Sequence, residues 1–204
     1  MIPLYVVQQQ HTGPYQQAQD CLDRAWWHFL LSCGLMPILI PNDPALATQV
    51  LQQQLAQAAL LTGGGEFCPR GGDNRSATEL VLLQWSMQTN NPVIGVCRGM
   101  QAMLQFCGGA LQAVSGHVMP SQKIWVEQQA RQVNSYHNFG CYQAPANFQV
   151  TAVASDQVIK AVKATDRRWL GIMWHPERLQ PFQSADQIMF YQFITGNNSC
   201  KPSF

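Results

Sequence analysis

The sequence predicts an α/β fold, a doubly wound and mostly parallel sheet with a small antiparallel extension, in one domain over residues 1–204. Three observations carry this expectation. Through the first hundred residues, short apolar runs alternate with segments whose apolar residues recur at helical spacing. Beyond Gly109 the alternation gives way to short strand-like runs separated by turns, as in antiparallel sheet. With 47% apolar residues, a chain of 204 can bury a full core, and no shift in composition marks a second domain.

Leu4-Tyr5-Val6-Val7 reads as the first strand, followed by a polar loop containing Gly13-Pro14. Cys21, Leu22, Ala25, Trp26, Phe29, Leu30 and Cys33 then share one helix face until Gly34 stops the helix. Trp26, Trp27 and His28 are read as packing, the usual fate of an aromatic stripe at this spacing. Met36-Pro37-Ile38-Leu39-Ile40 is a buried strand, residues 44 to about 57 a helix, and Ala58-Ala59-Leu60-Leu61 a third strand.

That strand runs into Thr62-Gly63-Gly64-Gly65, which lacks the lysine and hydroxyl residue of a phosphate-binding loop. Backbone free of side chains suits an oxyanion hole instead, with an N–H of Gly64 or Gly65 aimed at the carbonyl oxygen that the Arg98 N–H addresses. Residues 66–75 form a polar loop at a strand end, the position of a lid or specificity loop. Arg70 and Arg75 are available there to meet anionic substrate groups or to be solvated. Ser76-Ala77-Thr78-Glu79 reads as a capping box, opening a helix through Leu80, Val81, Leu83 and Met87.

The centre of the chemistry is Pro92-Val93-Ile94-Gly95-Val96-Cys97-Arg98-Gly99-Met100-Gln101. An apolar run ends in a cysteine with glycine two residues away on each side, and Met100, Met103 and Leu104 continue at helical spacing. This is strand, sharp turn, helix: the turn lifts the middle side chain above the strand end, provided its neighbours lack side chains that would collide. The first turn of a helix favours a thiolate over a thiol, so Cys97 is the candidate nucleophile rather than a small buried hydrophobe. A second apolar strand, Trp169-Leu170-Gly171-Ile172-Met173-Trp174, ends in His175-Pro176-Glu177. Pro176 biases His175 toward extended backbone, and residues two apart in an extended segment face the same way. Glu177 can then accept the imidazole N–H and orient His175 as the base.

Between these motifs, residues 110–118, 124–126, 131–136, 148–153 and 157–162 read as short strands. His117 reads as structural, its imidazole satisfied by backbone partners. Cys107 with Gly108-Gly109 ends the helix after Cys97. Asp186 to Ile194 is a final helix, with Ile188, Phe190 and Phe193 packing, and residues 196–204 a polar, frayed tail.

The elbow, the Trp-His-Pro-Glu segment and the Leu61-Thr62-Gly63-Gly64-Gly65 loop resemble the signatures of the class I glutamine amidotransferase superfamily. Asn134-Ser135-Tyr136-His137-Asn138, with residues 171–178, is similar to its free-standing γ-glutamyl hydrolase branch, and more narrowly to the type acting on γ-glutamyl-CDP-amidate in capsule or surface-glycan phosphoramidate synthesis. The resemblance implies a flavodoxin-like sheet, catalysis by Cys97, His175 and Glu177 through a glutamyl thioester, and no metal or organic cofactor. It places Gln101, Asn134, Ser135, Tyr136 and His137 at the substrate. Other readings stay open: a γ-glutamyl-GABA-type conjugate, a glutaminase feeding ammonia to a separate synthetase, or a non-catalytic γ-glutamyl-binding module. A homodimer is compatible with all of them.

Composition narrows the partners. A net charge of +1 and 11% charged residues give no basic face for nucleic acid and no polybasic membrane patch, leaving a small molecule. No apolar run approaches the roughly 20 residues that span a bilayer, and Met1-Ile2-Pro3-Leu4-Tyr5 lacks the pattern of a signal peptide. Seven cysteines without paired spacing argue against a disulfide framework or a zinc site and for a reducing, cytoplasmic compartment.

Overall fold

A computed structural model describes residues 1–197; residues 198–204, most of the expected polar tail, lie outside the described residues. Five strands run parallel through the centre of one sheet: β4 (Leu35–Ile40), β1 (Ile2–Val7), β5 (Ala59–Leu61), β6 (Val93–Val96) and β13 (Trp169–Ile172), in that spatial order. Leu4 to Val7, β5, β6 and β13 are wholly buried, which is why they read as unbroken apolar runs rather than alternating ones. The sheet continues antiparallel through β12 (Ile159–Ala164), β11 (Phe148–Ala154), β8 (Val118–Val126) and β9 (Gln129–Tyr136), so the extension is four strands of the same sheet. Helices α1 (Arg24–Ser32) and α5 (Ser184–Thr195) touch one another, while α2 (Pro44–Gln52), α3 (Asn74–Thr89) and α4 (Arg98–Phe106) touch in series. This is the doubly wound α/β arrangement.

Several elements differ from the sequence reading. The expected loop after β1 is a hairpin, β2 (Gln9–Thr12) against β3 (Ala18–Cys21), because its polar residues satisfy their backbone in a two-stranded ladder exposed to water. Residues 53–57 leave the helix at Gln53, with Gln54 at φ 53°. Only β7 (Gln112–Ala113), paired with β10 (Phe139–Gly140), forms between residues 110 and 117. The capping box shifts by three: Asp73, not Ser76, caps α3, accepting from the Ser76 N–H at 2.9 Å and from the Ser76 hydroxyl at 2.6 Å. Glu79 is thereby released for the buried contacts described below. Trp26 and Phe190 are core residues as expected, but Trp27 is only partly covered, His28 is exposed, and Ile194 rather than Ile188 is buried in α5. No described helix is long and apolar enough to cross a membrane.

Register brings the chemistry together. Val96 lies opposite Ile172 and Leu61 opposite Gly95, so β5, β6 and β13 end side by side at their carboxyl ends. In an open parallel sheet this is where ligands bind.

Candidate active site

Cys97 sits between β6 and α4 at φ 52°, ψ −103°, a conformation a cysteine adopts only when its surroundings hold it there. Two backbone bonds do so: its N–H donates to Ile172 O at 2.7 Å, and its C=O accepts the Gln101 N–H at 3.1 Å. The first ties the elbow to the strand that carries the histidine. A Cβ on Gly95 would stand 2.5 Å from the backbone of Gly99, so the elbow closes only with glycine there.

His175 follows β13 with extended backbone, φ −110° and ψ 90°, as a residue before proline should. Its Nδ1 lies 2.8 Å from Glu177 Oε1, both side chains being buried. Glu177 arrives there by a route the sequence did not indicate: residues 176–178 form a 3-10 turn rather than a continued strand, closed by the Arg178 N–H on His175 O at 3.2 Å. The His175 ring and the Cys97 side chain stand side by side over Gly63, close enough to interact. With Nδ1 engaged by Glu177, the contact falls to Nε2. Burial would lower the imidazole pKa, but its interactions with Cys97 and Glu177 outweigh it and raise it to about 9. Ring and thiol pass directly over Gly63, where a Cβ would meet His175 Cε1 at 2.5 Å and Cys97 Cβ at 3.3 Å.

Gly64 and Gly65 follow at φ 91° and 71° and line a cavity of about 250 Å³ together with Cys97, Gln101, Tyr136, His137, His175 and Arg178. The loop is held from behind by Arg75. Its Nη1 donates to Gly64 O at 2.6 Å, and its Nη2 to Thr62 O at 2.7 Å and Gly63 O at 3.0 Å. Its Nε pairs with Glu79 Oε1 at 3.2 Å. Glu79 in turn receives the Arg98 guanidinium at 3.0 to 3.1 Å, and that guanidinium also donates to Ser76 Oγ and Glu66 O. Burial brings Arg75 down to about 10 against the pull of Glu79, so it keeps its charge at neutral pH, and burial pushes the Glu79 carboxyl up despite both arginines. Arg75 is thus an internal clamp, away from the substrate role the sequence offered it, and Arg70 stays on the exposed loop.

Of the five residues expected at the substrate, Gln101, Tyr136 and His137 line the cavity. Asn134 and Ser135 do not. Asn134 is buried behind the site, where its side chain exchanges two hydrogen bonds of 2.7 Å with the backbone of His175, acting as one more rung of sheet. Ser135 accepts a bond of 2.9 Å from Lys160, a buried cation the sequence reading passed over. The available signal was a lysine inside the otherwise apolar stretch Val158-Ile159-Lys160-Ala161-Val162. His117 is buried against Asp156 and Gln122, with its ring 4.9 Å from that of His137. It is satisfied by side chains rather than by the backbone partners expected.

Among the described residues no three His, Cys, Asp or Glu side chains converge as a metal site requires, and the six described cysteines form no disulfide with one another. A larger groove of about 530 Å³ between α2 and α3, beside Gln52, Gln84 and Trp85, opens at the other end of the strands and is lined by no cysteine, histidine or carboxylate.

The sequence profile of class-I glutamine amidotransferases matches residues 19–195. The chain belongs to that family. Among the relatives of this chain, the γ-glutamyl-CDP-amidate hydrolase of Campylobacter jejuni is 25% identical, with 80% of this chain and 84% of the relative covered. The γ-glutamyl-γ-aminobutyrate hydrolase PuuD of Escherichia coli K12 is 22% identical, with 87% of each covered. In fold, the glutaminase domain of Trypanosoma brucei CTPS, solved with bound acivicin, superposes with a TM-score of 0.70 at 14% identity over 99% of this chain and 97% of that one.

Proposed function

We propose that this amidotransferase-family protein hydrolyses a γ-glutamyl amide by acyl transfer to Cys97. The observation that carries the reading is the elbow. Cys97 is held at positive φ on a strand tip beside the ring of His175, whose Nδ1 lies 2.8 Å from a buried carboxylate. The Cys97 thiolate adds to the γ-carbonyl carbon, and the resulting oxyanion meets the Arg98 N–H, unpaired at the start of α4, and an N–H of Gly64 or Gly65. Collapse breaks the C–N bond while the His175 imidazolium gives its proton to the leaving nitrogen. The glutamyl thioester left on Cys97 is attacked by a water that His175 deprotonates, releasing glutamate and the free thiol. Glu177 holds the ring and stabilises the imidazolium; a His175 pKa near 9 keeps the proton available at neutral pH.

The substrate we assign is γ-glutamyl-CDP-amidate, cleaved to cytidine diphosphoramidate for surface-glycan (capsule) modification. A cavity of about 250 Å³ suits the glutamyl portion and leaves the amine portion at the mouth. There the Arg178 guanidinium stands 5.3 Å from the centre of the Tyr136 ring, a cation beside an aromatic face that suits a diphosphate and its base. The likeness to the Campylobacter jejuni enzyme supports the same choice. The test is glutamate release, without partner proteins, from γ-glutamyl-CDP-amidate, γ-glutamyl-GABA and glutamine. The nucleotide conjugate should turn over fastest. Turnover of glutamine alone would favour a synthetase-linked glutaminase, and no turnover with no Cys97 adduct from a γ-glutamyl electrophile would favour a binding module.

A further inference from the structure

Lys160, in β12, is 1% exposed, and no step of the acyl-transfer reading uses it. A buried ammonium is costly unless its donors are met, so its partners indicate what it holds. Nζ donates to Ser135 Oγ at 2.9 Å and to His137 Nε2 at 2.6 Å. An ammonium has no lone pair, so Nε2 must be the acceptor and carries no proton. Nδ1 of the same ring lies 2.9 Å from Phe139 O, a pure acceptor, so the ring proton sits on Nδ1. His137 is therefore a neutral imidazole with both nitrogens engaged; burial, then the Lys160 charge, push its pKa down to about 3. The Phe139 carbonyl also accepts Gln101 Nε2 at 2.9 Å, which turns Gln101 Oε1 to the side free for a ligand. Gln101 and His137 line the cavity with Cys97.

We propose that Lys160 is a positioning residue for γ-glutamyl amide hydrolysis: by fixing the tautomer of His137 it fixes the Phe139 carbonyl and, through it, the Gln101 amide that meets the glutamyl group. The ligand in this statement rests on the acyl-transfer reading; the chain of hydrogen bonds from ammonium to amide does not. Lys160 must keep its proton for the chain to hold. Burial lowers its pKa to about 8, with Asp156 and Cys97 drawing the proton back. The groups around it are Ser135 and His137 at the end of β9, His117 before β8 with Asp156 against it, and Cys97 at the elbow, while His175 acts on His137. Above about pH 8 the ammonium becomes an amine that can accept, and the tautomer is released.

The test uses the full chain labelled with ¹⁵N, long-range ¹H–¹⁵N spectra of its imidazoles, and the chromogenic amide L-γ-glutamyl-p-nitroanilide. Wild-type His137 should appear as the neutral Nδ1–H form from pH 5 to 7. Lys160→Met should shift the ring to the Nε2–H form or let it titrate, and raise KM about tenfold, the scale of one charged hydrogen bond, with kcat within about threefold. Lys160→Arg should restore KM and abolish the rise in KM that wild type shows above pH 8. A wild-type His137 protonated or in the Nε2–H form at pH 6 overturns the proposal, as does a folded Lys160→Met with unchanged KM. If Lys160→Met fails to fold, the wild-type spectrum and Lys160→Arg decide. Failure of the acyl-transfer reading looks different: wild type then releases no p-nitroaniline, while the His137 tautomer still responds to Lys160.

Discussion

Replacing Arg75 by lysine tests whether the glycine loop owes its shape to the guanidinium behind it. Arg75 holds three consecutive carbonyl oxygens, of Thr62, Gly63 and Gly64, at 2.6 to 3.0 Å, and pairs with Glu79 at 3.2 Å. Lysine keeps the charge and so keeps Glu79 compensated, but its compact ammonium lacks the planar fork that reaches three oxygens at once. At least two charge-assisted hydrogen bonds are lost, each worth about 1.5–3 kcal/mol net, so Arg75→Lys should destabilise the fold by roughly 3 kcal/mol. Carbonyls 62–64 share their peptide planes with the N–H groups of residues 63–65, so a released loop also turns away the donors proposed for the oxyanion. Loss of one such donor lowers kcat about 10²–10³-fold, with KM little changed. The assays are urea unfolding and glutamate release at saturating substrate. Unchanged stability with kcat within about threefold would refute the clamp. A rise in KM alone, larger for diphosphate conjugates than for glutamine, would place Arg75 on the substrate instead.

Asn134→Ala should remove both side-chain bonds to the His175 backbone, leave two buried polar groups unmet, and cost about 2–4 kcal/mol in urea unfolding while slowing Cys97 labelling by a γ-glutamyl electrophile. Cys97→Ser should fold and lose turnover at least about a thousandfold, and Glu177→Gln should lose less, both read as glutamate release. The pKa of His175 rises on folding from 6.5 to about 9, so its contribution is complete below about pH 6.5 and is lost as pH climbs through 9. Urea midpoints should fall over that window by the equivalent of about 3 kcal/mol, and Cys97→Ala, which removes one of the two partners that raise the pKa, should flatten the fall.

Some of this site was legible residue by residue. Gly95 and Gly99 around Cys97 signal an elbow because the steric demand is local, and Pro176 signals the extended His175 for the same reason. The strands of the parallel half were legible because burial on both faces writes itself as an unbroken apolar run. The small antiparallel pieces and the β2–β3 hairpin were less so, since polar residues in exposed ladders carry no apolar period. Glu79 was given to a capping box because Ser-x-x-Glu is a local pattern, and a buried pair of arginines had a stronger claim on it.

The chain by itself determined the reactive groups: a thiol on a glycine-flanked strand tip, a histidine before proline, and a side-chain-free loop, each set by bonded geometry and nearest-neighbour sterics. Only the tertiary structure decided what Arg75, Asn134 and Lys160 do. Their partners lie 13, 41 and 23 positions away in the chain. Residue type announces that a guanidinium, an amide or an ammonium needs hydrogen-bond partners, but which atoms supply them is fixed when burial removes water from the choice.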